Sequence, residues 1–366
     1  MTTGDELIQT NENTPEDWVI VETSTTSPGL PLGQLPVEAP EHQEHEGGDD
    51  DDSTFECLLS STASITSSLC DYRAIHGREY HSDMWNTGYC FPIDQRQLEA
   101  QEYSDQAAFM LLEEGLHLAD LKTAKKLIQR VLDVGSGQGY WAIDFADTYP
   151  NTEVIGTDLS PIGEELVPPN LCFQIEDCTR DWTFANSYFD FIHMRHLVGG
   201  IEDWRHLYRE AFRCTSPGGL VESHEQSFIL KSDKETIEPE SALGRMGDIF
   251  MEVGVKSGYS FAVVDEDTQR KGMEEAGFVD IKEEVKRMPI RKEREAPIPQ
   301  DVGGIAYEAF TYDLEGHLLF VTTQVLGWTK EETYLLAMEV REQLEQMDVY
   351  VDHKIVVGQK PLSSSD

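Results

Sequence analysis

The apolar positions of the chain keep two rhythms. Short continuous runs rich in Val, Ile, Leu and Phe occupy residues 131–134, 152–158, 171–176, 189–194 and 220–223. Runs of this kind, without polar alternation, predict strands covered on both faces, as in a parallel sheet. Between them, residues 141–146 and 201–214 carry apolar side chains at helical spacing. Ahead of them, residues 94–114 read as a helix, with Asp94 as N-cap and Leu98, Phe109, Leu111 and Leu112 among its apolar positions. A turn is expected at 86–89 and another at 216–219, leading into the fifth run. Downstream, the pattern predicts helices over 241–254 and 267–276, the latter ended by Gly277 as a C-cap. It then predicts an alternating strand over 278–286, helices over 301–326 and 330–345, and a last strand over 348–358. Strand–helix–strand repeated in this order predicts an α/β fold with a doubly wound sheet.

The first strand run leads into Asp133-Val134-Gly135-Ser136-Gly137-Gln138-Gly139-Tyr140. A strand, a glycine turn and a helix open a nucleotide-binding βαβ unit, in which glycine lets the backbone approach a ligand. A dinucleotide site takes G-x-G-x-x-G, and counted from Gly135 the third glycine position is Tyr140, too large for close packing of helix on strand. The observed pattern is Asp-x-Gly-x-Gly-x-Gly. With an acid ahead of the first glycine it resembles the first motif of the S-adenosylmethionine (SAM)-dependent methyltransferases. A plain tight connection is the alternative.

Further acids stand at the ends of the next strands. Asp158 closes the second run, 19 residues past Gly139. A carboxylate there suits the two hydroxyls of a ribose, with Leu159 beside it; a helix N-cap is the competing role. The third run ends at Asp177-Cys178, where a carboxylate can accept from the amine of adenine and the Cys178 N–H can meet a ring nitrogen, or where the chain simply turns. His193, Arg195 and His196 follow the fourth run. His193 is the candidate general base for an acceptor that must lose a proton, with a structural role as the alternative.

These features together resemble the fungal LaeA-type methyltransferases, regulators of secondary metabolism and their paralogues. The resemblance covers residues 72 to about 230. It is carried by Gly156-Thr157-Asp158-Leu159-Ser160-Pro161, by Val167-Pro168-Pro169-Asn170 with Leu171-Cys172-Phe173, by Asp177 with Asp181-Trp182-Thr183, and by Phe189-Asp190-Phe191-Ile192-His193-Met194-Arg195 with Glu202-Asp203-Trp204. Tyr72-Arg73 and His76-Gly77-Arg78 are similar too. It implies SAM as cofactor and a class I methyltransferase (Rossmann-like) fold: a seven-stranded sheet with helices on both faces and the last strand inserted antiparallel. Asp133, Gly135, Gly137, Gly139, Asp158 and Asp177 match the cofactor motifs. One stretch departs. Where the family often runs Pro-x-Gly-x-Trp-Pro-Lys-Asp, this chain has Met288-Pro289-Ile290-Arg291-Lys292-Glu293-Arg294-Glu295.

Composition divides the chain. Residues 1–70 contain no Lys or Arg and include the acidic run 41–52. They are expected to form a disordered tail, because too little apolar surface is present to offset chain entropy. The methyltransferase domain is placed at 71–358. Within it, 71–125 is an N-terminal helical segment and candidate lid, 126–230 the cofactor core, and 231–358 the substrate-side helices and closing strands. Residues 359–366 form a short tail. The formal net charge is −41, which repels phosphate backbones and argues against direct nucleic-acid binding. No apolar run approaches the roughly 20 residues of a membrane span, and no signal-peptide pattern opens the sequence. An intracellular protein, cytoplasmic or nuclear, is expected, and a basic cluster at 286–294 reads as a solvated loop or an import signal. Cys57, Cys70, Cys90, Cys172, Cys178 and Cys214 contain no C-x-x-C pair, so no metal site is expected and the thiols are read as reduced.

The acceptor stays open between a small molecule and a protein, with regulatory protein partners as part of the LaeA-type reading. Three functions fit: a LaeA-type methyltransferase tied to fungal secondary metabolism, a small-molecule O- or N-methyltransferase acting on one metabolite, and a non-catalytic SAM-binding interaction protein. For either enzyme, alignment of nucleophile, methyl carbon and sulfur is the main task, worth up to roughly 7–11 kcal/mol in ideal intramolecular cases.

Overall fold

The computed structural model describes residues 72–82, 88–113, 115–121, 127–160, 167–291 and 301–362. The expected acidic tail, residues 86–87 of the expected turn at 86–89 and residues 292–294 of the basic cluster lie outside these. Seven strands form one sheet: β3 (Arg130–Val134), β4 (Glu153–Asp158), β5 (Leu171–Ile175), β6 (Phe189–Arg195), β7 (Thr215–Gln226), β8 (Val279–Ile290) and β9 (Val349–Gln359). Their order is β5-β4-β3-β6-β7-β9-β8. The first five are mutually parallel, and β9 runs antiparallel between β7 and β8. This is the class I methyltransferase sheet. Strand order reverses beside β3, with β4 on one side and β6 on the other, so a crevice opens at their carboxyl ends.

Successive side chains leave opposite faces of a strand. Leu132, Val134, Ile192, Met194 and Val221 enter the larger core, with α3 (Trp204–Cys214), α4 (Ala242–Ser257) and later helices. Val131, Phe191 and Leu220 face the other way, onto Trp141, Ala142, Phe145 and Ala146 of α2 (Tyr140–Thr148). Each fully buried large apolar side chain contributes about 1.5–3 kcal/mol. The second face also holds a polar row, since Asp133 pairs in register with His193, and His193 with Glu222.

The front segment contains α1 (Gln95–Leu111), with Asp94 as its N-cap as expected. It also contains an antiparallel hairpin the pattern did not predict, β1 (Arg73–Ile75) with β2 (Arg78–Tyr80). Arg78 ties this segment to the far end of the chain. Its guanidinium holds Asp94 at 2.6 Å and Asp313 at 2.6 Å, and the Asp313 side chain is fully buried.

Four expectations are corrected. The single helix over 301–326 is three pieces: α6 (Val302–Thr311), α7 (Leu314–Phe320) and a π-helical stretch Val321–Leu326. Asp313 leaves helical geometry to meet Arg78, and Thr322 and Thr323 donate to the carbonyls of Leu318 and Leu319, which widens the following turn. The turn at 216–219 lies inside β7 as a bulge, with Gly218 at φ 78 and Ser216 Oγ bonded to Asp190. Order extends past 358: Lys360 N donates to Gly219 O, and its Nζ to Phe212 O. Finally, Cys90, Cys178 and Cys214 are free thiols, but Cys172 is disulfide-bonded. The remaining helix, α5 (Thr268–Ala276), ends at Gly277 with φ 104, and α8 (Lys330–Leu344) opens with a full capping box at Thr329 and Glu332.

Removing one partner of a buried ion pair leaves an uncompensated charge. Arg78→Met is therefore expected to destabilise the fold by about 3 kcal/mol, moderated by Arg96, which also reaches Asp313. Urea unfolding of both proteins checks this; a loss under about 1 kcal/mol would mean that Arg96 alone neutralises Asp313.

Candidate functional site

A cavity of about 560 Å³ opens at the carboxyl ends of β3, β4 and β6. Asp133, Gly135, Gly137, Asp158, Leu159, Asp177, Cys178 and His193 all line it. Gly139 stands behind the lining as N-cap of α2, at φ 85, and a Cβ there would lie 2.4 Å from the Phe173 ring. Gly137 differs. Its φ is 58, yet a Cβ would meet only Gln101, at 3.9 Å. The space in front of Gly137 is therefore open to a ligand, whereas the space at Gly139 is filled by the protein.

Asp158 sits at the end of β4. Its Oδ2 accepts from Gly137 N at 2.9 Å and its Oδ1 from Ser160 N at 3.0 Å. Each carboxylate oxygen has a second lone pair, so acceptor capacity remains on the cavity side. Burial raises its pKa to about 6. Asp177 is more committed: Oδ1 accepts from Thr179 N and Oγ1, and Oδ2 from Arg180 Nε at 2.9 Å. Its own turn takes up both oxygens.

Asp133 and His193 form a buried pair, Oδ1 to Nδ1 at 2.8 Å. The imidazole stacks on Trp141 with centroids 3.8 Å apart and planes 5° from parallel. His193 Nε2 and Asp133 Oδ2 are buried without a partner. Burial raises Asp133 to about 7 and pushes His193 well below the usual histidine value. His193 lines the cavity with its ring buried, Nδ1 bonded to Asp133. Glu222, next in the row, accepts Leu118 N, Ala119 N and the His224 ring.

The front segment covers the mouth. His81 Nδ1 lies 3.1 Å from Ser160 Oγ, and Gln101 donates to the Tyr89 hydroxyl at 3.2 Å. Sequence reasoning missed Gln97, His317, Phe91 and Phe228, all of which line the same cavity. They come from distant parts of the chain, and no local pattern joins them. Behind the wall, Glu225 accepts from Leu197 N at 2.9 Å and Val198 N at 3.1 Å, fixing the turn that follows β6.

Among the described residues no group of His, Cys, Asp or Glu is placed to hold a metal ion, and no helix is long and apolar enough to cross a membrane. Of the basic cluster, Lys286 and Arg287 lie in β8, and each pairs with a carboxylate, as does Arg291.

A family model described as a methyltransferase domain matches residues 95–283. The chain is similar to the methyltransferase pytC of Aspergillus terreus, 33% identical over 82% of this chain and 92% of that protein. It is also similar to the secondary metabolism regulator LAE1 of Cochliobolus heterostrophus, 32% identical over 69% and 82%. Among solved structures, a phosphoethanolamine N-methyltransferase of Haemonchus contortus matches with a TM-score of 0.40 at 18% identity, covering 70% of this chain and 53% of that one.

Burial raises the Glu225 pKa to about 8. A carboxyl raised on folding contributes stability that is full below its ordinary value and is lost as pH rises through about 8. Relative to Glu225→Gln, the wild type is expected to lose stability between about pH 5 and pH 9 in urea unfolding; parallel pH curves would count against the shift.

Matched over half its length by that family model, and over most of its length by pytC, the chain belongs to the methyltransferase-domain family and is a SAM-dependent methyltransferase related to the fungal pytC and LaeA-type proteins.

Proposed function

We propose that the chain transfers the methyl group of SAM to a small acceptor of fungal secondary metabolism. The observation that carries this reading is the cavity itself. The glycine cradle and an apolar wall formed by residues after 226 line one cavity beside the front segment. SAM supplies a methyl group already activated on a sulfonium, so the protein's tasks are alignment and exclusion of water.

The open face of Gly137 admits the cofactor backbone, and Asp158 accepts the ribose hydroxyls on its free lone pairs. Leu159 packs beside the sugar. At the adenine end, Asp177 acts by holding the turn through Thr179 and Arg180, so that Cys178 N–H is presented to the base. Asp133 lies beneath the turn, where its charge favours the cationic methionyl end. His193 positions Asp133, a role its burial and its stacking on Trp141 support better than direct proton transfer to an acceptor.

A regulatory reading is kept in view by the LAE1 likeness. On that reading protein partners, not a metabolite, depend on the bound cofactor. The apolar wall that shares the cavity with the glycine cradle favours the small acceptor.

Asp158→Ala is expected to abolish SAM binding in calorimetric titration while circular dichroism stays unchanged; retained affinity in a folded variant would sink the ribose assignment. The raised carboxyls give a second test. Cation binding favours ionised Asp133 and Asp158, whose pKa values lie at about 7 and about 6. SAM affinity is then expected to fall about tenfold or more from about pH 8 to about pH 6, with proton release on binding, and Asp133→Asn is expected to flatten part of that slope. An affinity independent of pH would place both carboxyls outside the binding linkage.

A further inference from the structure

The charged residues of the cavity wall are unevenly placed. Asp105, Asp133, Asp158, Glu176, Asp177 and Arg195 are all contributed by the chain before residue 196. Among the described residues, the lining from residue 226 onward contains no Asp, Glu, Lys or Arg; residues 292–300 lie outside them. It consists of apolar side chains with Gln226, Ser227 and His317 as the only polar ones. Phe228 packs parallel to Phe91, with centroids 6.4 Å apart and planes 5° apart, and against Phe250 at 4.5 Å. Met246 and Phe310 complete an aromatic and thioether wall.

Among the described lining residues after 226, His317 is the one titratable side chain. His317, on α7, stands edge-on to Phe91 at 5.3 Å. Its Nε2 lies 3.3 Å from the amide of Gln97, itself 3% exposed. Gln97 Oε1 has no partner when the amide nitrogen faces the ring. Turned over, the amide accepts from Nε2–H, its oxygen is satisfied, and Nδ1 is left as the basic nitrogen. Burial keeps His317 below the usual histidine value, hence neutral; the nearby charges of Asp313 and Glu315 favour its protonated form and that of Arg78 opposes it.

We infer that this side of the cavity takes a neutral, largely apolar small molecule bearing a phenol- or enol-type hydroxyl, with His317 as the group that receives the hydroxyl proton. The inference rests on the cofactor reading above. The hydroxyl oxygen forms the new bond to the methyl carbon as the carbon–sulfur bond breaks, and that electron pair stays on sulfur. The proton passes to His317. Positive charge moves from sulfonium to imidazolium, so the net charge inside the cavity is unchanged. A lysine or arginine acceptor would bring a cation against a wall with no carboxylate, and a carboxylic acid an anion against one with no cation, each a costly desolvation.

The test uses the full chain. Titration with S-adenosylhomocysteine comes first; failure there defeats the cofactor reading and leaves the acceptor question separate. With the cofactor product bound, 2-naphthol is expected to bind about tenfold more tightly than 2-naphthoate or a lysine-rich peptide. With SAM, the wild type is expected to yield the naphthyl methyl ether. His317→Phe, which keeps the aromatic edge, is expected to lower kcat about a hundredfold while KM stays within about threefold. The deficit should shrink as pH rises toward ionisation of the phenol itself, a recovery that a merely structural role would not produce. Preference for the naphthoate or the peptide, absence of transfer from wild type that binds both ligands, or an unchanged kcat in the variant would each overturn the assignment. The binding comparison on wild type stands even if the variant does not fold.

Discussion

The buried pair of Asp133 and His193 is the constraint on which the site depends. A carboxylate on the first strand of a nucleotide-binding crevice is expensive to bury, and here only one of its oxygens is partnered. The cost is tolerated because the pair sits between register-matched strands and beneath Trp141, so neither ring nor carboxylate can turn away. The glycine turn above the pair is fastened by bonds to the backbone. Ser136 Oγ donates to the Asp133 carbonyl, Ser136 N to Thr157 O, and Gly139 N to Ser136 O, so the turn is fixed to both β3 and β4.

A second linkage closes the cavity from outside the sheet. Arg78 joins Asp94 at the start of α1 to Asp313 between α6 and α7, so the front segment and the inserted helices are fastened to each other. The break at Asp313 stands between α6 and α7, and α7 carries His317 at the cavity wall.

The parallel strands were legible because they are covered on both faces and so appear as unbroken apolar runs. Asp158 was legible because its distance from the glycine turn is set by one helix and one strand. The hairpin at Arg73–Tyr80 was not: two three-residue strands leave no periodic trace, and its one decisive residue, Arg78, acts on a partner far along the chain. Nor was the broken helix legible, since its apolar spacing runs on past Asp313 and the residue that meets Asp313 there is far away in the chain. Asp177 shows a further limit. Its position was readable, but the use of both its oxygens by Thr179 and Arg180 follows from turn geometry that a sequence motif does not encode.

The stretch that departs from the LaeA-type pattern gains meaning from its place. Met288 and Ile290 lie in β8, and both line the cavity on its apolar wall. Of the departing stretch, Met288 and Ile290 stand against that wall and outside the glycine cradle, and residues 292–295 lie outside the described residues. A change confined to that wall leaves cofactor chemistry intact while altering which molecule fits against it. This separates two questions that likeness to pytC and LAE1 leaves joined. The cradle residues bear on the methyl donor, whereas the composition of the β8 wall bears on the acceptor, so the two are open to separate tests.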